Sequence, residues 1–172
     1  MVQVRHSDHP APVRPALMPV TVVLDNLRSA FNTGNIFRLA EATRVEEILT
    51  CGYTPTPPHP KLAKTARGCD LAVPHRHFPT AAAAVAAARD AGRRVYAVET
   101  VEGATSVWEV RLQFPAALVF GNEALGIAEP ALAQCDEFIA LPCFGAKNSI
   151  NVGNCAAVVL YAVLRQWLAQ TP

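Results

Sequence analysis

Two apolar runs, VTVVL at 20–24 and ALVFG at 117–121, set the tightest limit on the fold. Each is apolar at nearly every position and lacks the alternation of a strand with one wet face. Such runs belong in a sheet covered on both sides. Shorter strand-like stretches stand at 45–51, 71–78, 94–99 and 137–141, with 116–120 bounding the second run. Helical segments fall between them. One follows Asn32, an N-cap candidate, and turns Ile36, Phe37, Leu39 and Ala40 inward through about Thr43. A short basic-faced helix is expected at 61–67, and an alanine-rich one at 80–91, capped by Thr80 and stopped by Gly92. Another is expected at 128–134 with Pro130 in its first turn, and a closing one from 150 to about 169. Strands alternating with helices predict an α/β fold: a mostly parallel sheet with helices on both faces.

Four prolines within 52–60 predict an extended surface loop. Pro10, Pro12, Pro15 and Pro19 make residues 1–19 an expected flexible arm, leaving 20–172 as a single domain. The closing helix is apolar nearly all round, so one face can cover the sheet while the other needs a second cover. A homodimer through that helix supplies it. The apolar run at 150–164 is broken by asparagines and short for a bilayer, so no membrane partner is expected.

A net charge of +1 provides no global field for coating nucleic acid, and DNA is not an expected partner. The five cysteines never fall in a Cys-x-x-Cys spacing, which disfavours zinc and a disulfide framework and points to a reducing cytoplasm. His75 and His77 alternate without a third ligand, so no metal is expected. The chain has no Gly-x-Gly-x-x-Gly after the first strand, no phosphate-binding Gly-Lys-Ser/Thr and no Gly-x-Ser-x-Gly.

Three clusters of glycine and polar residues each fall where a strand or loop meets a helix. They are Asn32-x-Gly34-x-x-x-Arg38, Gly121-Asn122-Glu123-x-x-Gly126 and Gly145-x-Lys147-Asn148-Ser149-x-Asn151. Loops of this kind gather at the carboxyl edge of a parallel sheet, where ligands bind. Taken singly, each is also ordinary turn and cap chemistry.

In order and spacing the three clusters, with LPCFGAKNSINV at 141–152, resemble the motifs of the SpoU (TrmH-like) branch of the SPOUT methyltransferases. The segment KTARG at 64–68 is also similar to a connecting stretch of that family. The resemblance implies a C-terminal deep trefoil knot and a homodimer. It also implies methyl transfer from S-adenosylmethionine to a ribose 2′-hydroxyl of RNA, tRNA favoured over rRNA. A catalytically idle RNA-binding dimer is the alternative from a different class. Carried over by position, the cofactor is expected near Thr100, Gly121, Leu141, Ser149 and Ile150. Arg38 stands at the catalytic arginine, with Asn32, Glu123, Ser149 and Asn151 as its polar partners. A guanidine titrates above ~12, so neutralising one near pH 7 costs roughly 7–9 kcal/mol. The expected role of Arg38 is therefore that of a cation which lowers the hydroxyl pKa and holds the adjacent phosphate. Arg28, Lys61, Lys64, Arg67 and Arg76 are candidate phosphate contacts.

Overall fold

The two apolar runs become neighbours at the centre of a seven-stranded sheet. In a computed structural model, which describes residues 16–170, the elements run β1 (Met18–Asp25), α1 (Ala30–Thr43), β2 (Val45–Cys51), α2 (Pro60–Ala66), α3 (Cys69–Ala72), β3 (His75–Phe78), α4 (Ala81–Asp90), β4 (Arg94–Val98), β5 (Thr105–Ser106), β6 (Ala116–Phe120), α5 (Glu129–Leu132), β7 (Glu137–Ala140) and α6 (Val152–Gln170). The strand order is β3-β2-β1-β6-β4-β7-β5, and every pairing is parallel. β7 lies between β4 and β5, the two strands that residues 99–104 connect.

The period of two along each strand divides the core into two layers. Val20, Val22 and Leu24 of β1, with Leu118 and Phe120 of β6, pack under α1, α2 and α6. Val23, Ala117 and Val119 face the other way, onto the alanines of α4 and Ala131 of α5. Small side chains on α4 let that helix lie close to the sheet. Each fully buried Val or Leu contributes roughly 1.5–3 kcal/mol, which is why neither face of the central strands tolerates a polar period.

Several boundaries differ from the expected ones. β1 starts at Met18 instead of Val20, inside the expected arm, because Met18 N–H donates to Arg44 O at 2.8 Å. Pro19 is tolerated there because the pairing with β2 shifts register between Met18 and Thr21. The remainder of the expected arm, 1–15, lies outside the described residues. The expected stretch at 71–78 opens as the helical turn α3 before β3. β5 was not foreseen, since two residues carry no period. The closing helix starts at Val152, two residues late. It is longer than its apolar run suggested, long and apolar enough to cross a bilayer by length and composition. Its inner residues, Gly153, Ala156, Val159, Leu160 and Val163, are buried in the layer shared with α1, while Tyr161 and Leu168 stay exposed.

Candidate active site

Beyond the carboxyl ends of β4, β6 and β7 lies a cleft of about 440 Å³. This is the edge at which open parallel sheets take ligands, and the volume is that of a small-molecule site. Three chain segments wall it: residues 98–100, residues 120–126 and parts of 139–155. Its floor is apolar, with Val98, Phe120, Ile139, Leu141 and Val152, and its rim is polar, with Glu99, Asn122, Glu123, Asn148, Ser149 and Asn151.

Carboxylates that follow three central strands hold these loops in place. Asp25, at the end of β1, accepts the Ala128 N–H at 2.7 Å. Glu99, just past β4, accepts the Ile127 N–H at 3.0 Å and the Thr100 N–H at 2.8 Å. Glu123, just past β6, reaches the start of α1 and accepts from Arg28 N–H at 2.9 Å and Ser29 N–H at 3.3 Å. Asn122 shapes the turn between β6 and Ile127. Its carbonyl oxygen accepts from Ala124 N–H and Leu125 N–H, and its amide donates to Asn26 O at 2.6 Å and Tyr53 Oη at 2.7 Å. Gly121 has no room for a side chain: a Cβ would lie 2.3 Å from the Gly126 carbonyl carbon.

A relay of side chains joins the beginnings of α1 and α6 at the rim. Asn32 Nδ2 donates to Glu123 Oε1 at 2.8 Å, and Asn32 Oδ1 accepts from Asn151 Nδ2 at 3.2 Å. Asn151 Oδ1 in turn accepts from Gly153 N–H at 2.9 Å and Asn154 N–H at 3.3 Å, which makes Asn151 the N-cap of α6. Burial pushes the Glu123 carboxyl upward. Hydrogen bonds from Arg28, Asn32, its own backbone and Ser29 outweigh that effect and leave it below the ordinary glutamate value. An ionised carboxylate is thus fixed beside the positive end of a helix.

The structure brings Asn32, Glu123 and Asn151 together, and places Ser149, Thr100, Gly121, Leu141 and Ile150 in the walls. Asn32 is not the N-cap of α1, contrary to expectation. α1 starts earlier, at Ala30, and Ser29 caps it, freeing the buried Asn32 side chain for Glu123. Thr100 ties the rim loops together, with Oγ1 donating to Asn148 O at 3.4 Å.

Arg38 is not in the cleft. It lies one turn beyond Gly34, whose missing Cβ would lie 2.8 Å from Leu62 O of α2, so this face of α1 turns toward α2 and α3. Burial and Glu41 raise the Cys69 thiol while Arg38 opposes them, consistent with an exposed guanidinium on that side. Arg76 is engaged with Glu47 at 3.0 Å through two nitrogens and stacks over Phe78, whereas Arg28, Lys61, Lys64 and Arg67 are exposed. His77 pairs with Thr50 and His75 with Val73 O, and no cluster of metal ligands occurs among the described residues.

Sequence reasoning passed over Glu99 and Asp25. Their signal was present: VVLD and YAVE each end a buried strand on an acid, at the edge where the site forms.

Residues 19–161 match the SpoU rRNA Methylase family. The chain is 34% identical over 149 residues to tRNA (guanosine(18)-2′-O)-methyltransferase of Thermus thermophilus, covering 87% of this chain and 76% of that protein. The SpoU methyltransferase AviRb of Streptomyces viridochromogenes, solved in complex with AdoMet, superposes with a TM-score of 0.79 at 26% identity, covering 92% of this chain and 60% of that one. A structure described as giving insight into the 2-OH methylation of C/U34 on tRNA superposes with a TM-score of 0.76 at 27% identity, covering 87% of this chain and 97% of that one. Of several longer relatives the chain spans between 52% and 59% of the length. From the first central strand to the middle of the closing helix, the match takes in every segment of the cleft, and the chain belongs to the SpoU rRNA methylase family.

Proposed function

We propose that this protein transfers a methyl group from S-adenosylmethionine to a ribose 2′-hydroxyl of RNA. The observation that carries the proposal is the Glu123–Asn32–Asn151 relay at the rim of a cleft with an apolar floor. The residues fit the cofactor. Val98, Ile139 and Leu141 suit an adenine, Gly121 leaves the backbone bare, and the loops at 98–100 and 148–152 offer backbone polar groups. When bound, the cofactor supplies a methyl group already activated on a sulfonium, so neither a metal nor a nucleophilic side chain is required.

The chain's own residues then have three tasks. Glu123 and Asn32 fix the start of α1 against that of α6, so the rim keeps its shape as RNA binds. Ser149 and Asn151 line the cleft and offer a hydroxyl and an amide to the ribose being methylated. Arg38 acts as a cation on the reacting hydroxyl and its neighbouring phosphate, where transition-state charge develops. Because Arg38 lies outside its own cleft, the reading includes a homodimer through α6 that brings Arg38 to the partner's cleft. The exposed Tyr161 and Leu168 of α6 support that pairing. The position of β7 between β4 and β5 supports the threading of a trefoil knot.

A tRNA is the favoured substrate, supported by the neighbour described for 2-OH methylation of C/U34 on tRNA and by the tRNA methyltransferase relative of Thermus thermophilus. An rRNA target is the second reading, supported by the family's description. Five free thiols among the described residues suit the cytoplasm. Titration calorimetry with S-adenosylmethionine tests the proposal directly. Absence of binding would favour the idle RNA-binding dimer. Mass-spectrometric mapping of 2′-O-methylation, with and without the gene, decides between tRNA and rRNA.

A further inference from the structure

Among the described residues two carboxylates line the cleft, Glu99 and Glu123, and the proposed transfer leaves Glu99 without a task. Its side chain is held rigidly. Oε1 accepts the Thr100 N–H at 2.8 Å, and Oε2 accepts the Ile127 N–H at 3.0 Å, so the group bridges the loop after β4 and the loop after β6. Gly126 makes room for it, since a Cβ there would lie 2.6 Å from Oε2. None of the salt bridges among the described residues involves Glu99. An ionised carboxylate has about four acceptor positions. With one backbone donor on each oxygen, Glu99 still offers an acceptor on both.

Two acceptors side by side match two neighbouring O–H donors. A strand-end carboxylate that takes ribose hydroxyls is a known solution in parallel sheets, here reached without the glycine fingerprint that usually accompanies it. The surroundings choose the part of the ligand. Val98 precedes Glu99, and Ile139 and Leu141 line the same cleft, forming an apolar wall suited to a purine. The group attached directly to that purine is the sugar. The ammonium of the amino-acid portion lies at the far end of the cofactor.

We propose that Glu99 receives the ribose 2′,3′-diol of the adenosyl cofactor and thereby fixes the cofactor's orientation in the cleft. The inference rests on the cofactor reading above. It makes Glu99 a binding residue for the adenosyl sugar, separate from the groups that act on the RNA.

The test is calorimetric, on the full chain, with three ligands: S-adenosylhomocysteine, its 2′-deoxy counterpart and 5′-methylthioadenosine, which lacks the amino-acid portion. Wild-type protein is expected to bind the deoxy compound roughly tenfold more weakly, the scale of one hydrogen bond to a charged group. Glu99→Gln is expected to weaken S-adenosylhomocysteine and 5′-methylthioadenosine by a similar factor, and the deoxy compound much less. Equal wild-type affinity for the first two ligands overturns the inference without any variant having to fold. Equal losses on all three ligands in Glu99→Gln reduce Glu99 to a loop tether and also overturn it. A loss shared by S-adenosylhomocysteine and its deoxy counterpart, with 5′-methylthioadenosine unaffected, would assign Glu99 to the ammonium instead and overturn the inference. Wild-type protein that binds none of the three defeats the cofactor reading itself, and this inference with it.

Discussion

At the start of α4, Thr80 Oγ1 accepts the Ala83 N–H at 3.2 Å, a cap made three residues from its own position. The start of α1 has the same device, with Ser29 Oγ accepting the Asn32 N–H at 3.2 Å. To this it adds a carboxylate from Glu123, 94 and 95 residues away in the chain, on Ser29 N–H and Arg28 N–H. A helix needs one local cap to satisfy its first donors, and α4 is content with that. The second, distant partner at α1 brings a fixed negative charge and two asparagines to the rim of a cleft. The site is marked by surplus satisfaction of a helix end, beyond what stability asks.

Breaking the distant partner should have the largest effect. Glu123→Ala and Arg38→Ala are each expected to lower kcat/KM for methyl transfer by about 10²–10³-fold, the scale for removing one preorganised polar group. Mixing the two inactive proteins under subunit exchange should recover activity, because one cleft in each mixed dimer then carries both residues. No recovery would place Arg38 at its own chain's cleft. Asn151→Ala comes next. It removes the cap of α6 and the donor to Asn32, so a stability loss of about 1–2 kcal/mol is expected in urea unfolding, together with reduced transfer. Thr80→Ala is the control from the other helix: about 1 kcal/mol of stability, with kcat/KM unchanged.

The smallest expected effect lies in the pH dependence of stability. Glu123 is held below its ordinary value, so its contribution to stability is complete above the normal glutamate range and disappears as pH falls through the lowered folded value. Urea midpoints of wild type and Glu123→Gln should therefore differ at neutral pH and converge in acid. The corresponding pair for Thr80→Ala should stay apart across the same range, since a hydroxyl cap does not titrate there.

Local rules made most of the framework legible. Continuous apolar runs marked β1 and β6, Thr80 and Gly92 bounded α4, and the three polar clusters lay along the cleft. The misreadings share one cause. Asn32 has the residue type of a cap, yet the choice between Ser29 and Asn32 depends on Glu123, which no local window contains. Asn151 caps α6 and also reaches Asn32, a partner 119 residues away that no local window contains. Glu99 and Asp25 bind backbone donors from other loops, so their role is visible only once the sheet has placed those loops together. Arg38 lies outside the cleft because its face of α1 turns toward α2, where Gly34 packs closely, a contact that residue periodicity does not encode.

The place of β7 has a consequence for how the protein is made. Until Glu137–Ala140 leave the ribosome, β4 has a partner on its β6 side only, and its other edge stands open as a template for foreign strands. When β7 enters that slot, the chain that follows it builds the last wall of the cleft from residues 141–155. Closing the open edge and completing the binding site are then consecutive acts of the same segment. A nascent chain has no half-built site to occupy, and ligand present in the cell stabilises only molecules whose C-terminal segment has already been delivered.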